Sequence, residues 1–223
     1  MRVKNRIGIL GGLGPETTAK VYLDMIEKMT GETRPDVVII SIPLNLKKEA
    51  EYIKKGKNRK YFQKRLLEGV RTLERAGVSK IFIACNTVHE FFDVLQKSTK
   101  VPIFHLIKEV AKEVNKKKWN RPLLLATSEI VKTELYQTEL NKLGIRLIIP
   151  TRIDQKMVDK VILSILSLNA NKQSEMKLLK RVIKNNKTNE IILGCSDLFE
   201  FFNKDERVID SMAVLVEACK NMV

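Results

Sequence analysis

The sequence predicts an α/β protein of two similar halves, each built on a parallel sheet. Short apolar, β-branched runs alternate with longer amphipathic stretches along the chain, the pattern of parallel strands joined by crossover helices. In addition, one segment occurs twice. Ile81-Phe82-Ile83-Ala84-Cys85-Asn86-Thr87-Val88-His89-Glu90-Phe91-Phe92 is matched by Ile191-Ile192-Leu193-Gly194-Cys195-Ser196-Asp197-Leu198-Phe199-Glu200-Phe201-Phe202. Each copy reads as strand, cysteine, polar pair and helix, and the two lie about half the chain apart.

A first strand is expected over 6–10, where Ile7, Ile9 and Leu10 surround Gly8, and a glycine-rich turn leads from it to a helix over 17–29. The run Val37-Val38-Ile39-Ile40 opens a strand over 37–42. A helix over 59–76 leads to the strand at 80–84 that ends at Cys85, followed by a short strand at 101–104 and a helix at 104–116. The second series comprises strands at 123–126, 146–149 and 190–193, with helices at 132–143, 155–168 and 173–185. Met212 to Cys219 reads as one more apolar helical stretch, and no low-complexity linker interrupts the series.

Composition narrows the function classes. Hydrophobic residues make up 44% of the 223 residues and charged residues 30%, and no apolar run approaches the roughly 18 needed to cross a bilayer. Ile7-Gly8-Ile9-Leu10 is too short for a signal peptide, so a cytoplasmic protein is the expectation. Three cysteines without a C-x-x-C pair suit neither a disulfide framework nor a metal site, and no metal is expected. The net charge of +15 could attract nucleic acid, but the lysines are spread out. The crowded runs, 54–60 and 116–118, carry no interleaved aromatics for base stacking, so solvated basic faces are the expectation and nucleic acid is not an expected partner.

Cys85 and Cys195 are the chemical candidates. A cysteine at a strand-to-helix junction meets free backbone N–H groups and the positive end of a helix dipole, which favour thiolate. The strand's carboxyl end is also where open α/β sheets bind ligands. The same N–H groups, with the side chains of Asn86, Thr87 and Ser196, can hold a substrate carboxylate. Inverting an α-carbon without a cofactor needs one group to remove a proton from one face and another to return a proton to the other, and two opposed thiols meet that need. Cys219 has no polar cluster beside it and reads as a buried apolar residue. His89, four residues after Cys85, is expected to hold the site by hydrogen bonding rather than transfer the proton. The Phe91-Phe92 and Phe201-Phe202 pairs read as core.

At these residues the sequence resembles the aspartate/glutamate racemases, over nearly its whole length. Ile7-Gly8-Ile9-Leu10-Gly11-Gly12-Leu13-Gly14-Pro15-Glu16-Thr17-Thr18 resembles the family's glycine-rich opening. Cys85-Asn86-Thr87-Val88-His89 resembles its first catalytic motif and Gly194-Cys195-Ser196-Asp197 its second. The resemblance implies two pseudo-symmetric three-layer parallel-sheet domains with the active site between them. Their expected extents are 1–100 with 209–223, carrying Cys85, and 101–208, carrying Cys195. It further implies an amino-acid substrate, independence from pyridoxal phosphate and metals, and commonly a homodimer. Leu124-Leu125-Ala126-Thr127 resembles a family strand that ends in a substrate-contacting threonine. Pro15, and Thr17 where a glycine would be needed, argue against a dinucleotide loop, so Gly11 and Gly12 are expected to bring backbone close to substrate.

The departures concern the substrate. Aspartate-specific members carry an arginine where Glu49 stands and a lysine near Ser167, although a shift of one or two residues would bring Lys47 or Lys48 into play. Without those cations a side-chain carboxylate would be costly to bury, so a neutral or cationic amino acid is expected to fit better. Two other readings stand beside racemisation. One is a related reaction of the superfamily, such as hydantoin racemisation, maleate-type isomerisation or decarboxylation. The other is a catalytically silent member whose basic surface binds an acidic partner.

Overall fold

The computed structural model describes residues 5–29, 33–167, 170–202 and 205–221. Two three-stranded parallel sheets organise them. In the first, β1 (Ile7–Gly11) lies between β2 (Val37–Ser41) and β3 (Lys80–Ile83), and Ile103 extends the edge by one bridge to Ile81. In the second, β5 (Ile191–Leu193) lies between β4 (Leu123–Leu125) and β6 (Val208–Asp210), and Ile148 bridges to Leu123. The sheets therefore repeat one order: β2, β1, β3, Ile103 and Ile148, β4, β5, β6.

The register makes the halves comparable residue by residue. Leu10 pairs with Ile83, and Leu125 with Leu193. One step beyond each pair the ladder continues in the same way, as Ala84 N–H donates to Leu10 C=O and Gly194 N–H to Leu125 C=O. Two residues beyond each pair stand Gly12 with Cys85 in one half and Thr127 with Cys195 in the other.

Helices follow the strands in parallel series. In the first half these are α1 (Pro15–Lys28), α2 (Leu46–Lys55), α3 (Arg59–Arg75), α4 (Phe92–Lys97) and α5 (Leu106–Lys116). In the second they are α6 (Ser128–Lys132), α7 (Leu135–Asn141), α8 (Arg152–Leu166), α9 (Lys172–Asn186) and α10 (Ser211–Lys220). Most start on a side chain that accepts a backbone N–H: Asn45, His105, Thr127, Thr151, Asn171 and Asp210 do this for α2, α5, α6, α8, α9 and α10.

Strand alternation sorts the core into three clusters. Leu10, Ile81 and Ile83 face outward onto α2 and α3 residues such as Tyr52, Phe62 and Leu66. Leu123, Leu125, Ile191 and Leu193 face α8 and α9. The opposite faces, Ile7, Ile9 and Phe82 of one sheet and Leu124 and Ile192 of the other, join a single cluster with residues of α1, α5, α7 and α10. That inner layer is shared by both halves, and α10, the last helix, packs on α1 and α5.

Several sequence expectations change. The strands expected at 101–104 and 146–149 are single bridges at Ile103 and Ile148. The helix expected over 132–143 is broken between α6 and α7, where Glu134 adopts a left-handed φ of 55°. The helices expected after the cysteines begin as 3-10 turns, Thr87–Phe91 and Ser196–Phe201. Helix α2 and strand β6 were not anticipated, and β6 straddles the expected boundary at 208/209. Residue 168, the expected end of α8, lies outside the described residues.

Candidate active site

One cleft lies where the carboxyl ends of the two sheets meet. The first half contributes Leu13 behind β1, Phe62 on α3, and Glu49, Tyr52 and Ile53, whose spacing puts them on one face of α2. Cys85 to Val88 follow from the loop after β3. The second half contributes Thr127 after β4, Ile162 and Leu166 one turn apart on α8, and Cys195 to Asp197 after β5. Of the expected site residues, Cys85, Cys195, Asn86, Thr87, Thr127 and Ser196 are brought together here.

The surroundings of Cys85 are held by buried hydrogen bonds. His89, 1% exposed, has Nδ1 at 2.7 Å from Cys85 C=O, and its Nε2 accepts from Leu106 N–H at 3.3 Å. This pattern requires the neutral ring with the proton on Nδ1, donated to the carbonyl of the cysteine. Burial, with His105 nearby, lowers the His89 pKa from 6.5 to about 4. Asn86 Nδ2 donates to Ser211 Oγ (2.8 Å), and Asn86 Oδ1 accepts from Tyr136 Oη (2.7 Å). The residue beside Cys85 is thus fixed to α10 and to α7.

Histidine burial has a consequence for stability. Between pH 6.5 and 4 the unfolded chain binds a proton at this ring that the folded chain refuses, so stability falls as pH falls through that window. The expected loss attributable to His89 is about 3 kcal/mol. Urea unfolding at a series of pH values should show it, and His89→Gln, which can keep one donor and one acceptor, should flatten that part of the curve.

Around Cys195 the partner is a carboxylate. Its thiol donates to Asp197 Oδ2 (3.6 Å), and Asp197 Oδ1 accepts from Thr17 Oγ1 of α1 (2.9 Å), a bond between the halves. Thr87 and Thr127, one from each half, approach to 3.4 Å between their hydroxyl oxygens. Below the cleft, Tyr52 donates to Glu90, and Arg59 is paired with both Glu90 and the buried Glu129 of α6. Gly56 lets the backbone pass close to that Glu129 carboxylate, since a β-carbon there would stand 2.5 Å from its Oε2.

The thiolate expected from helix dipoles is not the resting state. Burial pushes the Cys85 thiol from 9.0 up to about 12, with Asp197 and Glu49 adding to the rise, and the N–H groups of Val88 and Thr87 offset only part of it. Cys195 is likewise raised, by burial and then by Asp197. Short 3-10 turns carry little of the dipole of a long helix, and desolvation of the charged form outweighs it.

The other residues singled out in the sequence are placed as follows. Gly12 is not among the residues that line the cleft; its N–H donates to Thr18 Oγ1 at 3.1 Å, and the Ile42 backbone passes close to it. Ser167 donates to Ser164 C=O and stands outside the cleft. Lys47 and Lys48 are exposed on α2, with Lys48 Nζ over the Tyr61 ring, and among the described residues no lysine or arginine lines the cleft. His105 caps α5 and Cys219 is buried in the inner layer. Phe91 and Phe201 are core residues. Asp197 is marked in the sequence by the polar pair after Cys195 and by the second motif, without a role of its own; its place in the repeat, opposite Thr87, is the signal that it reaches the site.

A cleft lined by one cysteine from the equivalent strand end of each half, after β3 and after β5, in a doubled parallel α/β fold, points to the class. The chain belongs to the Asp/Glu/hydantoin racemase family, whose model matches residues 10–219. It is 26% identical to the broad specificity amino-acid racemase RacX of Bacillus subtilis over 224 residues, 95% of each chain. Among solved structures, an aspartate racemase homologue from Pyrococcus horikoshii matches with a TM-score of 0.75 and 27% identity, covering 96% of this chain and 97% of that one. Picrophilus torridus aspartate racemase matches in fold, with a TM-score of 0.79 and 24% identity over 96% of this chain and 92% of its own. No helix among the described residues is long and apolar enough to cross a membrane, and no group of three or more His, Cys, Asp or Glu could hold a metal ion.

Proposed function

We propose that this chain is a cofactor-independent amino-acid racemase in which Cys85 and Cys195 act on opposite faces of the α-carbon. The observation that carries the reading is the convergence of both thiols, each from the equivalent point of its half, on one cleft with the donors Asn86, Thr87, Thr127 and Ser196. Backbone N–H groups and these side chains hold the α-carboxylate and oppose the negative charge that develops on it when the α-proton leaves.

The two thiols differ in a way that sets their starting roles. Both thiols meet backbone N–H groups, Val88 and Thr87 at Cys85 and Asp197 at Cys195, but Cys195 also donates its proton to the Asp197 carboxylate. On this reading the ammonium group of the entering substrate offsets the carboxylates that oppose ionisation, and Cys85, its thiol proton lost to solvent as the substrate enters, becomes the base. Cys195 then delivers a proton to the other face, and the roles exchange in the reverse direction. The half built on β1, β2 and β3 holds the first thiol and the half built on β4, β5 and β6 the second, and the enzyme works as a homodimer in the reducing cytoplasm, where its three free cysteines stay reduced.

The test is loss of α-deuterium from a panel of L- and D-amino acids with purified protein and no added cofactor. Exchange accompanied by inversion of at least one substrate is the expected result. No exchange from any member would overturn the reading in favour of a related isomerase or a binding protein.

A further inference from the structure

The cleft described above contains two carboxylates, Glu49 and Asp197, and no lysine or arginine among the described residues. That is unusual in a chain with 41 Lys and Arg against 26 Asp and Glu. The two acids are not equivalent. Asp197 is held by Thr17 and by the Cys195 thiol. Glu49, on the cleft face of α2, makes no side-chain hydrogen bond or ion pair among the described residues, although lysines stand on both sides of it at 47, 48, 54 and 55. Those lysines point to solvent, while the glutamate is turned inward.

We propose that Glu49 selects the substrate side chain, and that the cleft takes an amino acid whose side chain ends in a cation, of the lysine, ornithine or arginine kind. The proposal rests on the cleft being the substrate site. Any α-amino acid brings one ammonium and one carboxylate. The carboxylate is met by N–H and hydroxyl donors at the cysteines, and Asp197, beside Cys195, lies where the α-ammonium can be met. Glu49 is then left over, and only a ligand with a second cation uses it. Between these polar ends Leu13, Ile53, Phe62, Ile162 and Leu166 offer an apolar wall for a methylene stem.

Electrostatics supports the same fit. Burial, then the Asp197 and Glu16 carboxylates, raise the Glu49 pKa from 4.5 to about 7, so the empty cleft holds its negative charge at a cost. A cation seated against Glu49 relieves that cost and forms a charge-assisted hydrogen bond. A side-chain carboxylate would instead add a third negative group, which opposes aspartate and glutamate.

The experiment is calorimetric titration of the full chain with lysine, arginine, norleucine and aspartate, for the parent protein, Glu49→Gln and Glu49→Arg. The expected result is lysine or arginine bound at least about tenfold more tightly than norleucine, with that ratio collapsing to about one in Glu49→Gln and aspartate gaining over lysine in Glu49→Arg. A parent ratio near one, equal weakening of lysine and norleucine in Glu49→Gln, or no binding of any ligand would overturn it. The first two of these, found alongside deuterium exchange, would leave racemisation standing. A Glu49-dependent preference without exchange from any amino acid would sink racemisation and keep the selector.

Discussion

Replacing either thiol by a hydroxyl should lower the rate of inversion by roughly 10²- to 10⁴-fold, the usual contribution of a positioned acid or base. Serine is nearly isosteric with cysteine but far less acidic, so Cys85→Ser and Cys195→Ser should keep the fold and lose the chemistry. The two variants should fail differently. With Cys195 gone, Cys85 can still remove a proton from one enantiomer and return solvent deuterium to the same face. Slow exchange with retention is therefore expected from one enantiomer in Cys85→Ser and from the opposite enantiomer in Cys195→Ser. Chiral chromatography with mass detection reads both quantities. Full inversion in either variant would remove the two-thiol mechanism.

The largest effect on stability is expected at Gly12. Its φ is +88°, and a β-carbon there would stand 2.4 Å from the backbone nitrogen of Ile42 and 2.5 Å from its carbonyl oxygen. Neither atom can swing away as a flexible side chain could, since Ile42 N–H is bonded to Gly11 C=O. Gly12→Ala should therefore cost about 3 kcal/mol or more, combining an unfavourable backbone region with overlap. Gly144 is the control: its φ is +71°, but nothing lies within 4 Å of the added carbon, so Gly144→Ala should cost about 1 kcal/mol. Urea titration of both variants measures the difference. Equal, small losses would mean that the turn between β1 and α1 can yield.

The doubled α/β architecture was legible because the repeat around Cys85 and Cys195 aligns a strand end, a thiol and a polar pair in both copies. The elements that escaped are those whose local pattern is weak. Three residues, Val208 to Asp210, are a strand only because β5 offers a parallel edge. The lysine-rich α2 hides its two buried positions, Tyr52 and Ile53, among exposed charges. Glu134 broke a helix that its flanking periodicity predicted whole. At the site, residue types pointed to the thiols and their donors but not to their protonation. That depends on how much water surrounds the sulfur, a property of packing between halves that no local motif encodes. Gly12 is ambiguous in the sequence for a related reason: a glycine required by a backbone crossing and one required by a ligand look alike in one dimension.

The shared inner layer bears on how such a molecule could have arisen and how it can be divided. Ile7, Ile9 and Phe82 pack in the same cluster as Leu124 and Ile192, with α5 and α10 between. If an ancestral single-sheet unit was duplicated and fused, it would have exposed that greasy face unless two copies already clasped one another. A cut in the connection after α5 would return the chain to that condition: two fragments, each lacking a wall, with every reason to reassociate and little capacity to live apart.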